Sequence, residues 1–271
     1  MRIRRLGWAG VQIEKDGVSL AIDPLGTLGF FEDFWGAPEE RDELVTLAPD
    51  SLDAVLLTHL HRDHTDPEAI ASALVRGGAL AGPRRTRFES ELQKFSIGQQ
   101  EDALASLGLR RSFLEPGDSL QTGDLKAVAC ESVDGVGANQ ISWLVTDGEA
   151  SVLHCGDTIW HGHWWDIASE HGSPDVVCLP ANGVAVAFPF HKPPVDQLAD
   201  MTPEQAVDAA YVLGADALMP IHFSLTYDHD PMYVPVRDAR ARLEEAAALR
   251  EVELLFPKIG EWTDVRAAAT A

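Results

Sequence analysis

The chain has 271 residues, 45% of them hydrophobic and 24% charged, which is typical of a globular protein with a sizeable core and excludes a disordered chain. Its 21 basic and 43 acidic residues give a formal net charge of −22, which repels nucleic-acid phosphates, so we expect no nucleic-acid partner. No apolar stretch is long enough to span a membrane, and the basic start lacks the apolar segment of a signal peptide.

The chain opens with three predicted strands, at residues 3–6, 11–14 and 18–22, and the last ends at Asp23. Residues 25–50 then carry several aromatic side chains among glycines and acids. This segment is either a loop that packs its own aromatic residues or a lid over a functional site.

The densest group of metal-ligating side chains follows an apolar run at residues 54–57, which predicts a buried strand. In extended backbone alternate side chains share a face, so three of the group can point into one crevice. The fourth, His64, needs the turn that precedes a helix opened by residues 66–68. Three imidazoles and one carboxylate within six residues predict a metal site, formed by His59, His61, Asp63 and His64.

The remaining pattern alternates strands and helices. A helix is predicted from Pro67 to Arg76, stopped by Gly77 and Gly78, followed by a strand at 79–81 and helices at 88–95 and 101–107. Strands at 125–130, 141–145 and 151–154 begin a second strand-rich half, which separates from the first near residue 120. The pattern predicts an α/β fold with two facing sheets and helices outside, as one domain over residues 1–271.

The second half carries two further ligand candidates, each just after a strand. Asp157 follows the strand at 151–154 and a glycine, and His222 ends the apolar run at 218–221. Between these two residues, Thr202 and Pro203 predict the start of a helix. After His222, an amphipathic closing helix is predicted at 236–249. The cysteines Cys130, Cys155 and Cys178 lie in separate apolar runs, which favours reduced thiols and a cytoplasmic protein.

The pattern His59-x-His61-x-Asp63-His64 resembles the signature of the metallo-β-lactamase-fold superfamily of metal-dependent hydrolases. The resemblance implies a four-layer αβ/βα sandwich with two mixed sheets, and a pair of divalent metal ions, zinc or manganese. By this resemblance, His59 and His61 bind one ion, Asp63, His64 and His222 bind the other, and Asp157 in Gly156-Asp157-Thr158 bridges them. The Met201-Thr202-Pro203-Glu204 segment resembles the branch that includes L-ascorbate-6-phosphate lactonase-like proteins.

The sequence departs from this family at the third ligand of the first ion, because no histidine follows the strand at 125–130. Asp134 is favoured as the substitute, since Gly135 next to it lets the backbone approach closely. The other candidates are Glu131, His161, His163 and His191. A carboxylate in place of an imidazole would harden the site and shift its preference from zinc towards manganese, magnesium or iron.

We therefore expect a metal-dependent hydrolase in which a metal-bridged hydroxide attacks a small ester, lactone or phosphoester. Asp63 and His161 are the expected catalytic residues, and His154 is a second candidate for protonating the leaving group. The expected partner is a small-molecule substrate, and homo-oligomerisation remains open. The alternatives are a mononuclear iron oxygenase of the sulfur dioxygenase kind on the same fold, and a non-catalytic small-molecule-binding relative.

Overall fold

The computed structural model describes residues 1–29, 36, 43–84, 91–188, 191–223 and 228–265, with the backbone alone for 91–93, 95 and 96. Most of the candidate lid, at 30–35 and 37–42, lies outside the described residues, as do residues 85–90 with the start of one predicted helix. No helix in the described ranges combines the length and apolar character needed to cross a bilayer.

Two seven-stranded mixed sheets form the centre of the fold. The first has the order β17-β1-β2-β3-β4-β5-β6, with strands β1 (Arg2–Gly7), β2 (Gly10–Lys15), β3 (Val18–Ile22), β4 (Leu52–Leu56), β5 (Leu74–Gly82), β6 (Ser112–Phe113) and β17 (Thr263–Asp264). The second has the order β16-β14-β11-β10-β9-β8-β7, with β7 (Ser119–Thr122), β8 (Leu125–Cys130), β9 (Ser142–Thr146), β10 (Ser151–His154), β11 (Val176–Pro180), β14 (Ala217–Ile221) and β16 (Glu253–Leu254).

A small third sheet and five helices complete the described fold. The sheet has the order β13-β12-β15, with strands Gln197–Leu198, Ala185–Val186 and Tyr233–Val234. The helices are α1 (Pro67–Ala73), α2 (Glu91–Ser106), α3 (Trp164–His171), α4 (Pro203–Leu213) and α5 (Ala239–Arg250). Thr202 caps α4 in a capping box with Gln205, and Pro203 stands at its first turn, as the sequence predicted.

Alternation along the strands produces the layers of the fold. Ala54 and Leu56 of β4 point into a core shared by both large sheets, whereas Val55 points into a second core beneath α1 and α2. On β11, Val176 likewise faces the inter-sheet core, and Val177 packs under α3, α4 and α5. Helices therefore cover the outer face of each sheet, and the predicted four-layer αβ/βα sandwich is confirmed.

Two predicted helix boundaries were wrong. The helix that begins at Pro67 ends at Ala73, and residues 74–82, including Gly77 and Gly78, form strand β5 instead. Parallel pairing of β5 with β4 outweighs the local helical pattern. The register of this pairing shifts between Leu52 and Ala54. A Cβ atom at Gly78 would lie 2.9 Å from the Asp53 carbonyl oxygen, so this position requires glycine. Two helices were predicted at 88–95 and 101–107. In the structure, residues 91–106 form the single helix α2.

Candidate metal centre

The ligand-type side chains meet where parallel strands end. Asp23 follows β3, His59 follows β4, Asp157 follows β10, and His222 follows β14. Strands β3 and β4 are parallel, as are β10, β11 and β14, so their carboxyl ends share one edge of each sheet. Crevices at this end of α/β sheets commonly hold ligands. The facing sheets thereby bring together residues that are far apart in the sequence.

One group of donors consists of Asp63, His64, Asp157 and His222, with one ligand atom of each within 4.8 Å of the others. The Oδ1 of Asp157 lies 2.8 Å from Nε2 of His64 and 3.1 Å from Nε2 of His222. The Oδ2 of Asp63 lies 3.2 Å from the same His222 nitrogen and 3.6 Å from Nε2 of His64. Two imidazoles and two carboxylates therefore converge on one point.

The second group consists of His59, His61 and Asp157, again with ligand atoms within 4.8 Å of one another. The Oδ2 of Asp157 lies 3.8 Å from Nε2 of His59, while its Oδ1 faces His64 and His222. The two oxygens of this one carboxylate thus face different donor groups. This is the arrangement that a bridging carboxylate requires.

Asp134 lies beside the second group. Its Oδ2 is 3.6 Å from Nδ1 of His61 and 3.9 Å from Nε2 of His59, and its Oδ1 accepts hydrogen bonds from the Val136 and Ala138 amides. The backbone therefore anchors one oxygen and leaves the other facing the two histidines. Burial raises the pKa of Asp134 against the opposing effects of His61 and of the amide donors.

The other candidates for the third ligand lie elsewhere. Glu131 is exposed, and His163 stands at the start of α3 with its Nδ1 3.5 Å from Asp166. His191 has its ring 6.0 Å from that of Phe188. Asp134 is thus, within the described chain, the candidate whose carboxylate lies near both His59 and His61, at 3.9 and 3.6 Å.

Asp23 contacts the Nδ1 side of two histidines, His64 directly and His59 through Thr58. Its Oδ2 lies 2.7 Å from Nδ1 of His64 and also accepts a 2.6 Å hydrogen bond from the Thr58 hydroxyl. That hydroxyl in turn lies 3.0 Å from Nδ1 of His59. Protonation of each histidine at Nδ1 leaves the Nε2 lone pair directed into the site. Asp23 therefore supports His64 directly, and His59 through Thr58, without belonging to either donor group.

His222 is positioned by groups that the sequence did not reveal. Its backbone has a positive φ of 55°, and its ring packs on Trp8 at a centroid distance of 3.8 Å. Its Nδ1 lies 3.0 Å from Oδ2 of Asp200 and 3.1 Å from Nδ2 of Asn182. The indole Nε1 of Trp8 donates to Asp63 at 3.3 Å. Two sequence signals could have pointed to these residues. Asp200 lies directly before the helix-start segment at 201–204, and Asn182 lies two residues after the end of β11.

The charges of the site shift its histidines in opposite directions. Burial lowers the pKa of His64, but the carboxylates of Asp157, Asp63 and Asp23 outweigh burial and raise the pKa well above its usual value. For His59, burial and the neighbouring imidazoles dominate, and its pKa is lowered well below the usual value. This difference follows the distribution of carboxylates around the two rings.

His161 and His154 have different surroundings. Nδ1 of His161 accepts from the His163 amide at 3.2 Å, its ring stacks on Trp164 at 3.9 Å, and burial followed by His163 lowers its pKa to about 4. Both ring nitrogens of His154 bond to backbone, the Ala9 carbonyl at 2.8 Å and the Gly156 amide at 3.3 Å. His154 is therefore a structural residue, and neither nitrogen is available to a leaving group.

The donor set fits two divalent metal ions. The Nε2 atoms of His59 and His61 are fully enclosed and make no hydrogen bond within the described part of the chain. Buried nitrogens without partners are costly unless a ligand satisfies them. Mixed imidazole and carboxylate donors suit zinc, manganese and iron alike.

A model of the beta-lactamase superfamily domain matches residues 23–223. The chain belongs to this superfamily. A UPF0173 metal-dependent hydrolase of Methanopyrus kandleri is 25% identical over 264 residues, which cover 95% of this chain and 97% of the relative. The match includes the whole region between Asp23 and His222, so the predicted superfamily is confirmed.

Solved structures share the superfamily's fold. Igni18, a metallo hydrolase from Ignicoccus hospitalis, aligns with a TM-score of 0.63 and 18% identity over 97% of each chain. CmlA, a diiron β-hydroxylase from Streptomyces venezuelae, aligns with a TM-score of 0.67 and 18% identity over 98% of this chain and 54% of CmlA. At these identities the likeness concerns the fold alone.

Proposed function

We propose that this protein is a metal-dependent hydrolase that holds two divalent metal ions and acts on a small ester, lactone or phosphoester. The observation that carries the proposal is the position of Asp157, whose two oxygens face different donor groups. The name of the relative from Methanopyrus kandleri supports the same reaction class. Two such ions, when bound, lower the pKa of a shared water and polarise a carbonyl or phosphoryl oxygen.

The chain's own residues have separate tasks in this proposal. His59, His61 and Asp134 would hold the first ion, Asp63, His64 and His222 would hold the second, and Asp157 would contribute to both. Asp63 would act in catalysis as a ligand, since its Oδ2 lies 3.2 Å from Nε2 of His222 in the group that also contains His64 and Asp157. Asp23 and Thr58 keep His59 and His64 in the orientation that ligation needs.

His161 is proposed to contact the substrate as a neutral hydrogen-bond donor. Its Nδ1 accepts from the His163 amide, so the remaining proton is on Nε2. With a pKa near 4 it is uncharged at neutral pH, and an imidazolium general acid is therefore disfavoured. His161 lies four residues after Asp157, at the same end of the sheet.

The substrate class is proposed from charge and from the helix-start segment at 201–204. The net charge of −22 disfavours highly anionic substrates, which favours a small ester or lactone over a polyphosphate. The segment's resemblance to lactonase-like proteins supports a lactone. A panel of simple lactones, aryl esters and phosphodiesters tests this, and hydrolysis of phosphodiesters alone would contradict the lactone.

The deciding experiment is elemental mass spectrometry of freshly purified protein beside three variants. We expect about two equivalents of zinc or manganese, about one after His59→Ala, and loss of both after Asp157→Ala. His171→Ala is the matched control, because this histidine lies at the end of α3 and its ring contacts Glu170 instead of the cluster. Full metal content in Asp157→Ala would contradict the bridging role.

A second candidate is an iron-dependent oxygenase. Asp134 favours it, because a carboxylate beside two histidines is a donor set that iron oxygenases use. A curated hydroxylase of Streptomyces venezuelae is 22% identical over 259 residues, though these cover only 46% of it. Binding of one equivalent of iron that survives Asp157→Ala would favour the mononuclear oxygenase. Two zinc or manganese ions without hydrolysis of any panel compound would favour a non-catalytic binding role.

We further propose that residues 1–271 form one domain in the cytoplasm. Strand β17 pairs with β1 in the first sheet, so the two ends of the described chain share one sheet. The three cysteines are free and buried, which suits a reducing compartment. Limited proteolysis that releases two stable fragments would contradict the single domain.

A further inference from the structure

We propose that Asp200 is a positioning residue that holds His222 in the tautomer whose Nε2 lone pair faces Asp63 and Asp157. This inference rests on the proposed function, because only a ligating His222 needs that tautomer. The Oδ2 of Asp200 lies 3.0 Å from Nδ1 of His222, and the Asp200 side chain is 1% exposed. This approach is an ion-pair distance, and within the described ranges neither Asp200 oxygen has a hydrogen bond of regular geometry.

A carboxylate in this position needs a donor. Burial of an unpaired carboxylate is costly, and among the described residues the ring nitrogen within reach is Nδ1 of His222. A proton on Nδ1 satisfies the carboxylate and leaves Nε2 with a lone pair. That lone pair is directed at Oδ1 of Asp157 and Oδ2 of Asp63, at 3.1 and 3.2 Å, where the second ion would be held.

Asn182 competes for the same nitrogen and favours the opposite tautomer. Its Oδ1 accepts from the Val184 amide at 3.2 Å, which orients the side chain so that Nδ2 lies 3.1 Å from Nδ1 of His222. An amide NH₂ only donates, so this contact suits an unprotonated Nδ1. Asn182 has another acceptor, because the Tyr233 hydroxyl lies 3.5 Å from the same Nδ2. Among the described residues Asp200 has no such alternative, and we therefore assign a proton to Nδ1 that faces Asp200.

The backbone around Asp200 is well anchored, as positioning requires. Thr202 and Gln205 exchange the hydrogen bonds of the capping box, at 3.3 and 3.1 Å, just after it. The carbonyl oxygen of the neighbouring Met201 accepts from the Gly183 amide at 3.0 Å. These contacts link the start of α4 to the loop after β11, and they hold the carboxylate against the ring.

The test compares Zn²⁺ binding by the wild-type protein and by Asp200→Asn, through competition with a chelator. Loss of a group that supports a ligating histidine commonly weakens metal binding about 10- to 100-fold, and we expect this loss for one of the two ions. Asp200→Glu should recover part of the affinity. Asp53→Asn is the matched control, since Asp53 accepts from the Ser19 amide at 2.8 Å and has no contact with the donor groups.

Nitrogen-correlated NMR of the zinc-loaded wild type reads the tautomer directly and does not depend on any variant folding. We expect a proton on Nδ1 of His222 in the wild type. An unprotonated Nδ1, or an Asp200→Asn variant that binds two zinc ions as tightly as the wild type, would overturn the inference alone. A wild type that binds no second ion would overturn the proposed function as well.

Discussion

Asp23 and His64 form a fully buried pair in which Oδ2 of the carboxylate lies 2.7 Å from Nδ1 of the imidazole. The same carboxylate accepts the amide and the hydroxyl of Thr58, at 2.8 and 2.6 Å. One aspartate at the end of β3 thus orients a histidine of each donor group, directly for His64 and through Thr58 for His59. This arrangement makes the loop after β4 sensitive to a residue that is not expected to touch metal.

Asp23→Asn should therefore lower the free energy of unfolding by about 2–4 kcal/mol, because an amide cannot accept from donors on both of its sides while buried. Denaturant unfolding of the metal-loaded protein measures the change. Asp53→Asn provides the comparison, since Asp53 is only partly buried and an amide oxygen can still accept from Ser19. Equal stability of the two variants would refute the assigned role of Asp23.

Thr58→Val should weaken one ion selectively. Valine keeps the shape of threonine but removes the hydroxyl that lies between Asp23 and Nδ1 of His59. The ion held by His59 should bind about 10-fold more weakly, whereas the ion held by His64 should change little. Stepwise removal by a chelator separates the two ions. Equal weakening of both would show that Thr58 does not act on one group.

Gly156→Ala should be among the costlier alanine substitutions in the chain. Gly156 has φ +59°, and a Cβ atom there would lie 2.7 Å from the Thr58 hydroxyl oxygen. We expect a loss of more than about 2 kcal/mol from backbone strain and steric overlap. Gly148→Ala is the control, because Gly148 also has a positive φ, +87°, but no described atom beyond its chain neighbours lies within 4 Å of the added carbon. Its loss should be near 1 kcal/mol.

The Glu204–Arg242 pair predicts a pH-dependent contribution to stability. Two hydrogen bonds of 2.7 and 2.8 Å join the groups, and the bond to Arg242, opposed by burial, lowers the pKa of Glu204. The stabilisation is present above the unfolded-state pKa and is lost as the pH falls through the lower folded-state pKa. Because both side chains are more than one third exposed, Glu204→Gln should cost less than about 1 kcal/mol.

The difference between wild type and Glu204→Gln should therefore be constant at neutral pH, shrink below the ordinary glutamate pKa and diminish with added salt. Urea titrations at several pH values measure it. Glu244→Gln is a matched control on α5, where a single contact of 3.0 Å to Arg240 should contribute less. A difference that grows on acidification would contradict the assigned pair.

His161 should titrate far below neutrality. Burial and then the neighbouring His163 lower its pKa to about 4, so its ring is neutral when the unfolded chain's histidine is already protonated near pH 6. Its contribution to stability is full above the unfolded-state pKa and is lost as the pH falls towards 4. NMR titration of the ring measures the midpoint. A titration midpoint near 6.5 would contradict this prediction and would make His161 a candidate general acid in its imidazolium form.

Much of the fold was predictable because it depends on local patterns. The short strand-like segments of β1 to β4, the cap of α4 and the turns led to nearly correct boundaries from the sequence. The end of α1 was predicted wrongly, since pairing with β4 decides whether Leu74 and Val75 are extended. The pairing of β17 with β1 was not predicted either, because two-residue strands carry no pattern of their own.

The sequence by itself determined which side chains could hold metal, because ligand chemistry belongs to residue types and a cluster within six residues needs no fold to be noticed. It also placed Asp157 and His222 at strand ends. Only the tertiary structure decided how these groups meet, with the two oxygens of Asp157 facing different histidines. It alone revealed Asp200 beside Nδ1 of His222, because a contact between distant loops depends on how the chain packs and leaves no regular spacing in the sequence.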